Sequence, residues 1–400
     1  MISAFRNSIN ANFTETQYQE FLKDLNSTFP GAIDFRVAET PVFVDQQLGD
    51  KMIATCEYII DFIKDPAFKS KTERSIPTAE RLNNEGKHPH FIAFDFGICQ
   101  NEDGSLFPAL IEMQGFPTLF GFQAYYPEVL EKHYSIPEGY SNYFNALDKS
   151  SYISLLKEVI LGECDSKEVI LLELRPHQQK TRIDFYCTEK YLGIQPVCLT
   201  EIFSEGKKLF YLNNGEKIQI KRIYNRVITD ELNNIRAALG ETIDLTKDYD
   251  VEWITHPHWF YRISKFTLPY LEHECIPETK FLNELEYIPK DLEHFVLKPL
   301  FSFAGQGVII DITKEDISNI KDPENWILQR KVDYAACIET PNTPAKVEIR
   351  LMYLWEENAP RPILATNLAR LSKGKMIGVR YNADKDWVGG SVAYFKKQTV

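Results

Sequence analysis

Four hundred residues, 44% of them apolar and 13% aromatic, suffice for two or three units around a sizeable buried core and exclude a disordered chain. The net charge of −12 makes the surface as a whole repel nucleic acid and anionic membrane, so an anionic ligand needs a local cluster of lysine and arginine. No run of about 18 apolar residues occurs, which argues against a membrane-spanning helix, and Met1–Arg6 has no basic stretch leading into an apolar run, so no secretory leader is expected.

In chain order, Leu48, Met52, Cys56, Ile59, Ile60 and Ile63 share one helical face, which predicts an amphipathic helix over 47–64. Phe91–Gly97 and Pro108–Gln114 are apolar runs flanking Gln100-Asn101-Glu102-Asp103-Gly104-Ser105, a hairpin-type turn. Antiparallel pairing then places Asp95 beside Glu112, with Gln114 on the side of Glu112 because strand side chains alternate. Two carboxylates and an amide oxygen are hard ligands suited to Mg²⁺ shared with phosphates. A solvated hairpin edge would carry the same residues.

Glu168–Leu174 reads as a strand, 178–192 as a helix ended by Gly193, and Pro196–Leu199 as the next strand. Strand, helix, strand over this length is a βαβ unit and implies a locally parallel sheet, so the fold class is mixed α/β. Lys221–Tyr224 reads as a further strand, and 230–239 as a helix ended by Gly240. Turns near 148–150 and 244–257 divide the chain into expected units 1–150, 151–250 and 251–400.

The run Phe295–Pro299 delivers Lys298 on an apolar strand, followed by a loop with Ser302, Gly305, Gln306 and Gly307 and a second apolar run, Val308–Ile310. Glycine permits the close backbone approach that amide cradling of phosphate needs. The pattern is not a P-loop, and a hairpin with a buried lysine stem would look alike. Trp326–Val332 is a strand ending in Gln329, Arg330, Lys331 and Val332, able to offer backbone groups to an adenine edge or to be an ordinary strand end. Arg350 and Arg370 lie on apolar strands and Arg380 beside a flexible loop. Arginine stays charged, so such side chains need anionic partners, whether a substrate or a structural mate such as Glu348 for Arg350.

His88-Pro89-His90 and His256-Pro257-His258 read as surface turn residues rather than a metal pair, and no Gly-x-Ser-x-Gly elbow anchors a hydrolase triad. The seven cysteines, Cys56, Cys99, Cys164, Cys187, Cys198, Cys275 and Cys337, include no Cys-x-x-Cys pair; reduced, buried thiols in a cytoplasmic protein are expected.

Together these segments resemble the circularly permuted branch of the ATP-grasp family, typified by the synthetase part of glutathionylspermidine synthetase. Lys298-Pro299-Leu300-Phe301-Ser302-Phe303-Ala304-Gly305-Gln306-Gly307-Val308 is similar, without a gap, to the branch's Lys-Pro-Leu-Phe-Gly-Arg-Glu-Gly-x-x-Val. Ala93-Phe94-Asp95-Phe96-Gly97, a turn, and Glu112-Met113-Gln114-Gly115-Phe116-Pro117-Thr118 resemble its metal motif, one residue shorter. Ile263–Leu271 looks like the segment carrying the first ATP-binding lysine, here Lys265, ahead of a helix. Trp326–Arg330 and Gly378–Tyr381 resemble the branch's adenine strand and its substrate arginine segment. The matches run in one order from about residue 91 to 395, the metal motif before the lysines as in the permuted branch.

The resemblance implies an ATP-grasp fold with a Rossmann-like βαβ domain ahead of the nucleotide-binding part. It implies an ATP-dependent carboxylate–amine or peptide ligase working through an acylphosphate. Asp95, Glu112 and Gln114 would hold Mg²⁺, Lys265 and Lys298 the α- and β-phosphates, the 302–307 loop the γ-phosphate, and Gln329 to Val332 the adenine. Arg380, with Arg350 or Arg370, would orient the acid. The partners implied are small-molecule or peptide substrates, with no nucleic acid or membrane and a homodimer allowed for. Ala93, Phe303, Ala304 and Gln114 depart from the family's arginines, glutamate and asparagine, so its substrates are not carried over. These losses also leave open a degenerate ATP-binding sensor or scaffold.

Overall fold

The computed structural model describes the chain except residues 229–231, 233–234, 236–237, 302–306, 375–376, 378–381, 383 and 398–400. Helices α1 (Ser3–Asn12), α2 (Glu15–Ser27) and α3 (Gln46–Lys64) open the chain, followed by strands β1 (Phe91–Gln100) and β2 (Leu106–Gln114). Helices α4 (Phe122–His133) and α5 (Lys149–Leu161) lead to β3 (Val169–Glu173), α6 (Arg182–Leu192), β4 (Gln195–Cys198), β5 (Arg222–Asn225) and β6 (Glu252–Ile254). Then come β7 (Thr279–Phe281), β8 (Phe295–Pro299), β9 (Trp326–Arg330), β10 (Lys346–Leu354), β11 (Ile363–Ser372) and β12 (Gly389–Ser391).

The expected hairpin is central to the molecule. β1 and β2 pair antiparallel with Asp95 opposite Glu112, and β1 pairs on its other side with β10. The resulting five-stranded sheet has the order β12-β11-β10-β1-β2. Alternation along its strands sorts the residues by chemistry. Phe94, Phe96, Ile98, Ile349, Leu351 and Leu371 join Leu48, Met52, Cys56, Ile59, Ile60 and Ile63 of α3 in one apolar core. The helix is placed by Asp45, whose carboxylate accepts from the Leu48 N–H at 2.9 Å.

The βαβ unit is present: β3 and β4 pair in parallel within a four-stranded sheet of order β6-β5-β3-β4. Both faces of that sheet are buried, as parallel strands require. Val169 and Leu171 pack with α5 and α6, and Ile170 and Leu172 with Leu209 and Tyr211. Helix α6 starts at Arg182, not 178, because Arg175 turns left-handed (φ 48°) into a short 3₁₀ turn over Pro176–Gln178; it ends at Gly193 (φ 74°) as expected. Most of the 230–239 segment lies outside the described residues.

The third sheet, β7-β9-β8, is antiparallel and carries Lys298 and Gln329. The run after the glycine loop is not a strand: a single bridge joins Ile309 to Leu297. Lys265 does not precede a helix but opens a 3₁₀ helix, Lys265–Tyr270, whose Ser264 hydroxyl accepts from the Phe266 N–H. The Pro-bracketed histidines are a correction as well. His90, His256 and His258 are buried, and His88 is half-buried against Trp355, with ring centres 4.2 Å apart. Buried imidazoles need partners: His258 meets Glu85 at 3.0 Å and the Leu82 N–H at 2.9 Å, and His256 meets the Asn83 carbonyl at 3.0 Å. Among the described residues, no helix is long and apolar enough to cross a membrane.

Candidate active site

Lys298 projects from β8 on the face that alternation also gives to Gln329 of β9, and its ammonium donates to the Gln329 amide oxygen at 2.6 Å. The amide nitrogen of Gln329 donates in turn to the Thr279 hydroxyl on β7 at 3.1 Å, which fixes the orientation of the amide. Lys265 reaches the same place from the 3₁₀ helix and donates to the carbonyl of Pro299 at 2.9 Å. Burial pushes the Lys265 ammonium down to about 8, the nearby Lys298 adds to that, and Glu112 opposes it. Burial likewise lowers Lys298, against the pull of Glu112 and Glu348. Glu112, on the five-stranded sheet, is close enough for its charge to act on both lysines.

The second face of that sheet is charged. Asp95 lies across from Glu112 on one side and Arg350 on the other; Glu348 lies across from Arg370. Arg350 grips Asp95 with a fork, Nε to Oδ1 and a terminal nitrogen to Oδ2, both at 2.5 Å, and its other terminal nitrogen donates to the Thr118 hydroxyl at 3.1 Å. Arg370 bonds Glu348 and also donates to Asp95 Oδ2 at 3.2 Å. The sequence reading that Arg350 pairs with Glu348 is therefore corrected: both arginines are bound across strands. Burial raises Asp95, but Arg350 and Arg370 outweigh it and hold the carboxyl below its ordinary range. Burial, with Asp95 and Glu112 close by, leaves Glu348 raised despite Arg370. Tyr334 donates to Glu348 at 2.9 Å, and its ring lies on Gly97, where a Cβ would come within 2.7 Å of it.

No family model matches this sequence, and no curated protein matches it. Among solved structures, the chain is similar to a glutathione synthetase-like effector from Globodera pallida, solved in its apo form. The TM-score is 0.58 at 10% identity, over 96% of each chain. The fold is glutathione synthetase-like. At this identity the likeness is one of fold alone.

Within this glutathione synthetase-like fold, the site residues expected from sequence divide into groups. Lys265, Lys298, Gln329, Asp95, Glu112, Arg350 and Arg370 converge, and Gln114 follows Glu112 on the same side of β2, opposite Ala93. Arg330 turns the other way, over the Phe295 ring and 4.0 Å from Asp291. Lys331 and Val332 are half-buried beyond the strand end, the Lys331 N–H on the His294 carbonyl. Gly307 has φ 72°, a conformation that favours glycine. Ser302, Gly305, Gln306 and Arg380 lie outside the described residues. Tyr334 and Thr279 are members that no motif singled out, and Glu348 entered only as a mate for Arg350. Thr118 is the last residue of the segment that resembles the metal motif and could have been found there.

The Mg²⁺ set expected of Asp95, Glu112 and Gln114 does not fit. Asp95 is 2% exposed and already accepts three N–H bonds from two guanidinium groups. A dication bound to its oxygens would sit against those fixed positive charges. Away from the hairpin, His90, Glu252 and Glu357 bring ligand atoms within 4.8 Å of one another. There Arg222 already holds Glu252 at 2.9 Å.

Proposed function

We propose that this chain is an ATP-dependent carboxylate–amine ligase of the ATP-grasp type, in the permuted arrangement where the acidic hairpin precedes the lysines. The observation that supports it is the meeting of two buried lysines from separate elements, Lys298 on the Gln329 amide oxygen at 2.6 Å and Lys265 on the Pro299 carbonyl at 2.9 Å, with the charge of Glu112 acting on both. In this reading the two ammonium groups neutralise the phosphates, and Gln329 to Val332 border the adenine. The substrate carboxylate attacks the γ-phosphorus and ADP departs, leaving an acylphosphate. The amine then attacks the acyl carbon and phosphate departs, forming the amide. Such chemistry is mainly positioning and charge neutralisation. Arg380 is the arginine proposed to orient the acid, since Arg350 and Arg370 are engaged within the protein.

A second reading, a nucleotide-binding protein without ligase activity, is favoured by the closure of Asp95 and by Ala93 in place of the family arginine. A phosphate-release screen with ATP over amino acids, peptides and polyamines separates the two. Release that requires one acid and one amine establishes the ligase. ATP binding without release for any pair establishes the second reading, and absence of ATP binding removes both.

A further inference from the structure

The glutathione synthetase-like fold leads one to expect a divalent ion at the acidic hairpin, yet the side chains there are arranged as though that ion had been replaced. Arg350 is not a surface arginine resting on a convenient acid. It is 8% exposed, sits directly across from Asp95 in the sheet register, forks onto both carboxylate oxygens and is tied at its remaining nitrogen to Thr118. Arg370 reaches the same carboxylate from β11 while bonded to Glu348, which Tyr334 holds from the other side. Planar bidentate pairing of this kind is geometrically specific. With Asp95 and Glu348 both nearly enclosed, loss of the two arginines together would leave Asp95 an unpaired charge on a poorly solvated face.

The charge count points the same way. Two cations, Arg350 and Arg370, already stand in hydrogen-bond contact with the two enclosed carboxylates, Asp95 and Glu348, so that pair is neutralised without any metal. A magnesium ion demands near-octahedral oxygen ligation and sheds its waters reluctantly. Glu112, 42% exposed on its side-chain surface, is the more open carboxylate of the hairpin, and Arg350 lies 3.9 Å from it.

We propose that Arg350 and Arg370 take the place of a divalent cation at Asp95, so that this site binds a nucleoside polyphosphate in its metal-free form. The proposal rests on the nucleotide reading of the site for its ligand, and on the Asp95 pairing alone for the exclusion of metal. The two parts are tested separately.

Mn²⁺ titration of the full-length protein, followed by electron paramagnetic resonance, tests the exclusion directly. The wild-type chain should retain no Mn²⁺ that Asp95→Asn abolishes, with or without ATP. The double variant Arg350→Met/Arg370→Met should gain a Mn²⁺ site, because it frees Asp95 beside Glu112 and Gln114. Wild-type Mn²⁺ binding that disappears in Asp95→Asn overturns the proposal, and it does so even where the double variant fails to fold. Titration with a fluorescent ATP analogue in EDTA and in MgCl₂ tests the ligand form. Equal affinity in the two buffers supports the proposal, and a loss of about tenfold or more in EDTA, a full decade of binding constant, overturns it. No binding in either buffer removes the nucleotide reading itself, while the Mn²⁺ result still decides the role of Asp95.

Discussion

The two faces of the five-stranded sheet are built from the same strands and do opposite things. On one, Phe94, Phe96, Ile349 and Leu351 meet the apolar stripe of α3, and burial of each side chain stabilises the fold by about 1.5–3 kcal/mol. On the other, alternating with them residue by residue, lie Asp95, Glu348, Arg350 and Arg370. Burying charge is costly, and a paired set at best offsets its own desolvation. A purely structural sheet would gain more from apolar residues on both sides. The charged face is therefore the side to which function is assigned, and its geometry should be sensitive in ways that the apolar face is not.

The largest expected effect breaks the charged face. Asp95→Ala leaves two guanidinium groups without their shared partner and should cost about 3–5 kcal/mol in chemical denaturation. An unchanged midpoint would mean that the arginines find other partners. On the apolar face, Met52→Ala should cost about 2–5 kcal/mol while leaving nucleotide affinity in the folded protein as it was. A change in affinity there would show that the faces are coupled. Lys298→Ala should weaken ATP binding by ten- to a hundredfold, about 1.5–3 kcal/mol, with little change in the melting curve. Calorimetric titration with unchanged affinity would remove Lys298 from the site.

The smallest effect is one of pH. Lys265 is lowered from 10.5 to about 8 in the folded chain, so it sheds its proton there while the unfolded chain still holds one. ATP affinity should fall as pH rises through about 8, and Lys265→Arg should flatten the profile. Its own linkage has the opposite sense: between about 8 and 10.5 the unfolded state binds more protons, so this group's contribution to stability rises with pH. A flat binding profile in the wild type would place Lys265 outside the phosphate contacts.

What could be read from sequence was what is local. The turn over 101–105 made the hairpin legible, and the stripe that buries α3 was legible too; the register set by the turn would carry Asp95 to Ile111, and a shift between Asp95 and Phe96 puts it opposite Glu112. The pairing of Arg350 was not. Its partner lies 255 residues away, and alternation within β10 offers Glu348 as the obvious mate. Which strand lies beside β1 is decided by tertiary packing, and with it which acid each arginine meets. The buried histidines were missed for a similar reason: the partners of His256 and His258, Asn83 and Glu85, lie more than 170 residues upstream. Proline beside histidine describes a turn but carries no information about what later covers it.

The pairing of β1 with β10 also sets a timetable for synthesis. The hairpin leaves the ribosome carrying an apolar strand and an unneutralised aspartate, and some 230 residues must follow before Arg350 emerges to cover both. Until then, α3 can shield one side of β1, but its open edge has no strand to receive. The nascent chain should therefore depend on chaperones most heavily between the appearance of residue 114 and that of residue 354, and stalling translation within that interval should yield aggregate where release after β12 yields folded protein.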